Sequence, residues 1–459
     1  MISFFEQFTL SVLIFLIPLQ TRKLLYSWNQ GGFSEYLNAY LYVTDLLIFL
    51  LIVLWLARPR RRDFHVSLVK SRLFAGKRGL IAAAVCFFVA GIFSLASALN
   101  FELGFYQLFK LGEFLLLFAY FFANARALNH RVLAGFFIAS GVVQSFWAAL
   151  QFFTQSSLSL KILQESPIHP DLPYVANFFV GDDKFIRAYG GFPHPNVLAA
   201  FLLISLFSLC FLFLERNQAD GGKGTSVGKA IERALYAVVF FVLLLGLILT
   251  FSRIALVVYV GGTILFLGFI LFSKILWSRY GEATYPLILI VSISTVALFI
   301  IFSPYLNARF HVSSQEEAVV NRVRYSEEST HQIQQSPFFG VGVGNFIPAF
   351  KNSAGGQNEE FYQPVHNIYL LIASETGIIG LLSFLFFIGF ILFQSGRMVL
   401  ASRATALLAM YGVLFLLFLT LGFFDHFFWT LQQGRLMFWI IAGILAGLAF
   451  GIPKDELDD

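Results

Sequence analysis

Residues 364–380, PVHNIYLLIASETGIIG, join the longest polar segment of the chain to one of its longest apolar segments. His366 and Asn367 stand at the start of the apolar run, and nine residues separate them from Gly377, which is followed by Gly380. An apolar run of about 20 residues can cross the hydrocarbon of a bilayer as a helix. The stretch therefore predicts a membrane protein with a histidine at the point where a polar loop meets the membrane.

The composition of the whole chain agrees with this prediction. The chain has 459 residues, of which 58% are hydrophobic and 12% charged, whereas soluble domains carry about 25% charged residues. Lipid offers no partner for backbone N–H and C=O groups, and solidly apolar runs are not the alternating pattern of barrel strands, so the spans must be helices. We predict one all-α polytopic membrane domain over residues 1–459, with about twelve helices at 4–20, 38–57, 80–99, 106–125, 132–154, 196–214, 234–251, 254–272, 285–303, 367–394, 404–424 and 435–452.

The distribution of Lys and Arg predicts the orientation of these helices. The loops on one side carry nineteen of the 31 basic residues, eight of them in the loop 58–79, and the loops on the other side carry eleven. Cytoplasmic loops are the basic ones, so both termini are expected in the cytoplasm of a multi-pass protein. The first apolar run lacks a basic leader and a cleavage site, and we expect it to remain as the first helix. The net charge of +5 then reflects topology, and we expect no nucleic-acid partner.

Two long loops, residues 155–195 and 304–366, face outward in this topology. Residues 321–335, NRVRYSEESTHQIQQ, are expected to form a short helix that stops before Pro337. Gly340, Gly342 and Gly344 follow at alternate positions. Such a glycine run either lets the backbone approach a ligand closely or forms a tight turn before the next helix.

Arginines on the outer side have no role in orientation and therefore predict a binding site. Arg187 precedes a Gly- and Pro-rich segment, Arg253 lies in a tight turn, and Arg322 and Arg324 share the short helix. Guanidinium groups bind phosphate oxygens in pairs, so arginines at one membrane face indicate a phosphate or pyrophosphate clamp. The alternative for the helix arginines is a solvated helix face.

His366 is the best candidate for a catalytic residue, because imidazole exchanges a proton near neutral pH. Asn367 beside it, Lys110 within a helix, and the outer pair Asp425 and His426 are candidate substrate-binding residues. Lys110 and Glu113 share a helix face, so an internal ion pair is the alternative for Lys110. The sequence has no HExxH, no DxD and no His/Cys cluster at ligand spacing, so we expect no metal and no cofactor.

At these residues the sequence resembles the bacterial O-antigen ligase family, which includes polymerases and O-oligosaccharyltransferases. The matching pieces are HNIYLLIASETGIIG, RAYGGFPHPNVLA, LTFSRIAL, and Arg322 followed by PFFGVGVGNF, so the resemblance spans most of residues 180–450. The aromatic residue that the family places four residues after the loop arginine is Ser326 here, with Tyr325 beside it. This departure leaves the choice between Arg322 and Arg324 open.

The resemblance implies transfer of a glycan from undecaprenyl pyrophosphate to an acceptor at the outer, periplasmic face of the bacterial inner membrane. The acceptor would be lipid A core in a ligase, another lipid-linked glycan in a polymerase, or a protein hydroxyl in an oligosaccharyltransferase. Arg187, Arg253 and Arg322 would hold the pyrophosphate, and His366 would act on the acceptor hydroxyl as a base or by orienting it. The reaction would invert the anomeric carbon without a metal.

Two alternatives come from other classes. A transporter or flippase of lipid-linked glycan would need charged sites and broken helices near the bilayer midplane. A structural or assembly protein would tolerate loss of His366 and Arg322 without any change in surface glycan.

Overall fold

The computed structural model describes residues 2–29, 35–58, 73–219, 225–311, 317–354, 361–400 and 405–450. The described chain consists mainly of helices, with two short β-hairpins. The helices are α1 (Phe4–Leu16), α2 (Val43–Leu56), α3 (Leu73–Ser94), α4 (Phe101–Asn124), α5 (His130–Thr154), α6 (Pro195–Ala219), α7 (Ser226–Leu249), α8 (Arg253–Phe272), α9 (Lys274–Ile301), α10 (Ser303–Phe310), α11 (Glu317–Gln335), α12 (Phe346–Ser353), α13 (Ile368–Leu400), α14 (Ala406–Leu421), α15 (Phe427–Thr430) and α16 (Gln432–Phe450).

Each of the twelve apolar segments expected from the sequence overlaps one helix. Among the described residues, nine helices are long and apolar enough to cross a membrane, and α1, α2 and α14 are apolar but shorter. The count of twelve membrane spans therefore remains a prediction. Several basic residues used for the orientation, including Arg60, Arg61, Arg62, Lys223, Arg403 and Lys454, lie outside the described residues.

The helices form a bundle around α6 and α16, which are enclosed by protein along most of their length. Outer helices such as α8 and α9 instead expose large apolar side chains, among them Ile264 and Ile293. Exposure of many large apolar side chains is unfavourable in water, whereas lipid can surround them without this cost in free energy. The exposed apolar faces agree with a protein of the membrane.

Two hairpins form at the end of the bundle that the basic residues predict to be outside. Strand β1 (Arg22–Ser27) pairs antiparallel with β2 (Asn38–Tyr42), and β3 (Asn177–Val180) pairs with β4 (Asp183–Ile186). The expected helix over 38–57 therefore begins only at Val43, because residues 38–42 pair with β1 through their backbone. The hairpins were not expected from the sequence, since their short strands have no distinctive apolar period.

The described part of the segment 304–366 contains most of α10 and all of α11 and α12. The expected helix over 321–335 is confirmed: α11 begins earlier, at Glu317, and ends at Gln335, before Pro337. Tyr325, Ser329 and Gln332 form the buried face of α11, which packs on α13. The Ser329 and Ser374 hydroxyls lie 2.7 Å apart and join the two helices.

Helix α13 is interrupted at Gly377, whose φ is 68° and ψ −176°. The carbonyls of Ser374 and Glu375 accept the N–H groups of Val341 and Gly342, at 2.8 and 3.1 Å, and the Ile378 N–H donates to Pro337 at 2.8 Å. The glycine run therefore lies against the backbone of the broken helix. A Cβ at Gly340 would stand 2.4 Å from the Glu375 carbonyl carbon, so the run is glycine-rich because two backbones meet there.

Candidate active site

A large cavity of about 1570 Å³ opens at the end of the bundle where the hairpins lie. Its walls come from the first hairpin, residues 164–197, α10, α11 and the loops before α13 and α15, which are far apart in sequence. Seven of the nine predicted site residues line it: Arg187, Arg253, Arg322, Arg324, His366, Asp425 and His426. The structure thus brings the predicted arginines and histidines into one cavity, whereas Asn367 and Lys110 are not among its lining residues.

Arg187 lies buried at the base of the cavity, 6% exposed. Its Nε donates to the Thr250 carbonyl, at the end of α7, at 2.7 Å, and its Nη2 donates to Asn196 Oδ1 at 2.5 Å. Asn196 Nδ2 in turn donates to the Asp425 carboxylate at 2.6 Å. This chain of hydrogen bonds joins the first outer loop to the loop that carries the Asp425–His426 pair.

Arg253 and Arg309 lie on either side of a tight turn. Arg253 is the first residue of α8 and lies two residues after Phe251, whose φ is 44°. Arg309 on α10 donates from Nε to the Phe251 carbonyl at 3.3 Å.

Burial, followed by the charge of Arg309 and Arg322, lowers the pKa of Arg187 to about 9. The cavity therefore concentrates positive charge, which an anionic ligand would neutralise.

The two arginines of α11 differ in their surroundings. Arg322 carries a positive charge that lowers the pKa of both His366 and His426, so its field acts on the histidines. Arg324 lies over the Phe361 ring, with Cζ 4.7 Å from the ring centre, in a cation–π contact. Because the charge of Arg322 acts on the histidines and Arg324 packs on Phe361, we favour Arg322 as the loop arginine, and its role stays a prediction.

Four rings meet beside the arginines. The rings of His366 and His426 are 4.9 Å apart at 75°. Tyr325 stacks on the other face of His366 at 5.9 Å, and Tyr36 meets His426 edge to face at 5.6 Å. The imidazoles are thus held by aromatic packing.

Electrostatics set the charge state of these groups. Burial, the charge of His426 and the charge of Arg322 lower the pKa of His366 well below its ordinary value, against the opposing effect of Asp425. Burial and Arg187 lower the pKa of His194 to about 3. Burial would raise the pKa of Asp425, but the three histidines and the Asn196 hydrogen bond outweigh it and keep that pKa below its usual range. At neutral pH the site combines neutral imidazoles, one carboxylate and several guanidinium groups.

Asn367 acts as the cap of α13. Its Oδ1 accepts the N–H groups of Tyr369 at 2.9 Å and Leu370 at 3.1 Å, which are otherwise unsatisfied in the first turn of a helix. The cap explains why an asparagine follows His366: it starts the helix at a fixed point and so fixes the backbone of the histidine. Substrate binding by Asn367 stays a prediction.

Glu375 connects three parts of the chain behind the histidines. Its carboxylate accepts the Trp429 indole N–H at 2.8 Å and the backbone N–H groups of Gly344 and Phe346. Arg435 Nε donates to the Trp429 carbonyl at 2.5 Å. Glu375 and Arg435 therefore hold the loop from which His426 projects.

Lys110 lies outside the large cavity. It is 2% exposed, and its Nζ lies 2.7 Å from Asp45 Oδ1 and 2.6 Å from Glu113 Oε2. Lys110 lines a second cavity of about 60 Å³, beside Trp429 and Thr430 of α15. The geometry favours the internal ion pair over substrate binding.

Replacement of Lys110 with methionine is expected to lower the free energy of unfolding by about 3–5 kcal/mol, because two buried carboxylates lose their shared cation. Thermal denaturation of the detergent-solubilised variant measures this loss. Lys161→Met, at an exposed position of the first outer loop, is the control and should leave Tm unchanged. Normal stability of Lys110→Met together with lost activity would instead restore the substrate-binding hypothesis.

The structure adds residues that the sequence did not single out. Tyr36, His194, Asn196 and Arg309 line the large cavity, and Tyr325 stacks on His366. Arg309 could have been found from its positive charge in an outward-facing loop, as the other arginines were. Tyr36 could not, since it lies in the first 180 residues, where the family resemblance is topological. Among the described residues, no group of three or more His, Cys, Asp or Glu side chains could hold a metal ion.

Comparison with known proteins finds a family match in the second half of the chain. Residues 238–385 match the family model described as O-antigen ligase. The matched region contains Arg253, Arg322, His366 and both glycines of the opening stretch, whereas Arg187, Asp425 and His426 lie outside it. No curated protein matches the chain at a significant level. The match over these residues supports a membrane glycosyltransferase of the O-antigen ligase or polymerase type.

Proposed function

We propose that the protein transfers a glycan from undecaprenyl pyrophosphate to lipid A core at the periplasmic face of the inner membrane. The observation that carries the proposal is the cavity that Arg187, Arg253 and Arg322 line together with His366 and His426. Several guanidinium groups match a pyrophosphate, whose negative charge grows as the glycan leaves. The imidazoles can take part in removing the proton from an acceptor hydroxyl.

The reaction follows from this arrangement. The acceptor oxygen attacks the anomeric carbon from the face opposite the pyrophosphate, and the bond from that carbon to the phosphate oxygen breaks. The electron pair stays on undecaprenyl pyrophosphate, where the arginines neutralise it. The acceptor proton passes to an imidazole and from there to water or to the leaving phosphate. The configuration at the anomeric carbon is inverted.

The position of the charged residues supports transfer over transport. Arg253 and Asp45 lie at helix ends, at residues 1 and 3 of α8 and α2. Lys110 lies further inside α4, but its charge is paired with Asp45 and Glu113. Helix α13 is broken, as transporter helices can be, but Val341 and Gly342 already bond the carbonyls at the break. A transporter would instead need such carbonyls free to bind a substrate or an ion.

Replacement of His366 with alanine is expected to abolish transfer, because the imidazole beside the arginines is lost while the protein still inserts. The test is complementation of a deletion strain, with surface glycan separated on a gel and the protein quantified in the membrane. His331→Ala, on the exposed face of α11, is the matched control. Wild-type levels of product from His366→Ala would contradict the assignment of this residue.

The same deletion strain identifies the acceptor. Free polymer without its lipid A anchor means that the protein is a ligase. Single repeat units on the anchor mean that it is a polymerase, and unchanged lipopolysaccharide with loss of protein glycosylation means that it is an oligosaccharyltransferase. Unchanged glycan in every fraction would contradict all three activities.

A further inference from the structure

The two histidines of the cavity differ in how their ring nitrogens are bonded. His426 Nδ1 lies 2.8 Å from the Thr430 hydroxyl oxygen, one turn further along α15. His366 Nδ1 is buried and has no hydrogen-bond partner among the described residues. Neither Nε2 atom is buried in this way, and both rings line the large cavity. Nε2 is therefore the nitrogen of each histidine that is available to the cavity.

The hydrogen bonds assign the tautomer of His426. The Thr430 hydroxyl donates its single proton to the His426 carbonyl at 3.2 Å, the bond that threonine commonly makes in helices. With that proton donated to the carbonyl, the hydroxyl oxygen accepts from His426 Nδ1 at 2.8 Å, and we infer that the ring proton is on Nδ1. The unprotonated nitrogen of His426 is Nε2, which faces the cavity.

The opposite tautomer follows for His366. A buried N–H group without a partner is rarer in proteins than an unpaired acceptor. The proton of His366 is therefore on Nε2, and Nδ1 keeps its lone pair in the contact with neighbouring rings. His366 offers a hydrogen-bond donor to the cavity, whereas His426 offers an acceptor.

We propose that His426, and not His366, is the general base that removes the acceptor proton, that Thr430 positions it, and that His366 donates a hydrogen bond to a substrate oxygen. This division of roles rests on the proposed glycosyl transfer. As the acceptor oxygen bonds to the anomeric carbon, its proton moves to His426 Nε2, and the bond to the pyrophosphate oxygen breaks. The Asp425 carboxylate, whose Oδ1 accepts the His426 backbone N–H at 2.8 Å, stabilises the imidazolium that forms.

Other charged and titratable groups also act on this imidazole. Burial lowers the pKa of His426, Asp425 raises it, and Arg322 lowers it. A bound pyrophosphate would offset Arg322 and so raise the pKa of the base towards neutrality. The groups that face His426 from the surrounding elements are Asp425, His366, His194, Arg322 and Tyr36.

Glutamine substitutions separate the role of general base from that of hydrogen-bond donor. Glutamine keeps an N–H donor, but it cannot accept a proton near neutral pH. Membranes of the deletion strain supply donor and acceptor, and the rate of transfer is measured with purified variants added back. We expect His366→Gln to keep transfer within about 10-fold of wild type, and His426→Gln to lose about 10²–10⁴-fold, the range typical of general-base catalysis. Equal losses, or a larger loss in His366→Gln, would overturn the assignment.

Thr430 variants test the positioning role. Thr430→Val removes the hydroxyl at nearly constant shape, and Thr430→Ser restores it. We expect Thr430→Val to lower kcat with little change in KM and to shift the acidic limb of the pH profile, and Thr430→Ser to restore both. A pH profile unchanged in Thr430→Val would overturn this role. Lack of transfer by the wild-type protein would instead contradict the proposed function, so the two failures are distinguishable.

Discussion

Replacement of Gly377 with alanine is expected to prevent formation of the active site. A Cβ at this position would stand 2.1 Å from the Phe338 carbonyl oxygen, and the φ of 68° is a conformation that alanine rarely adopts. Strain and overlap together should cost on the order of 3–5 kcal/mol, with loss of transfer to background. The measurement is the apparent Tm of the purified variant, with activity in the complemented strain.

Gly389 is the matched control within the same helix. It is exposed, and a Cβ there would meet no atom within 4 Å. Gly389→Ala should leave Tm unchanged or raise it slightly, since alanine favours a helix by up to about 1 kcal/mol over glycine. If Gly377→Ala folds and transfers glycan as well as Gly389→Ala, the backbone contact between 337–342 and α13 is not needed.

Replacement of Arg322 with alanine is expected to reduce transfer by about 10²–10³-fold, as loss of one group that stabilises developing negative charge does in other enzymes. The charge of Arg322 acts on His366, whereas Arg324 packs on the Phe361 ring. Arg324→Ala should therefore lower the rate of transfer by less than about 10-fold. Transfer rates of both variants, normalised to protein in the membrane, make the comparison. A greater loss in Arg324→Ala would exchange the two assignments.

Arg322→Lys sharpens this test. Lysine keeps the positive charge but lacks the planar pair of donors that matches two phosphate oxygens. We expect Arg322→Lys to recover only part of the lost rate. Full recovery would mean that charge alone is required at this position.

The structure gives a role to each of the residues that define the pattern of the opening stretch, residues 364–380. His366 enters the cavity, Asn367 caps α13, Gly377 breaks the helix, and Gly380 leaves room for Thr376, whose Oγ1 would lie 2.0 Å from an added Cβ. The nine residues between Asn367 and Gly377 are the helical turns that separate the cavity from the contact with the glycine run. The spacing therefore sets the distance between a reacting group and the backbone contact that holds its helix.

Much of the site could be predicted from the sequence because charge is costly near a membrane. Arg187, Arg253, Arg322 and His366 stand out against apolar neighbours, and alternation of the helices puts their loops at one end of the bundle. Lys110 stood out for the same reason but is paired with Asp45 and Glu113. A charged residue within an apolar segment indicates that it has a partner. The sequence alone does not show whether that partner is a protein side chain or the substrate.

By itself, the sequence determined a helical membrane protein, the segments that form its helices, and the set of arginines and histidines that line the cavity. These features depend on composition and on local periodicity, which are independent of how the helices pack. Only the tertiary structure decided that Tyr36, Asn196 and Arg309 join the cavity, that Asn367 is a cap, and that Thr430 holds His426. The cavity is formed by contacts between distant segments, as between Asn196 and Asp425, 229 residues apart, and no local pattern encodes such contacts. The Asn367 and Thr430 contacts are local, but they depend on where each helix begins or ends.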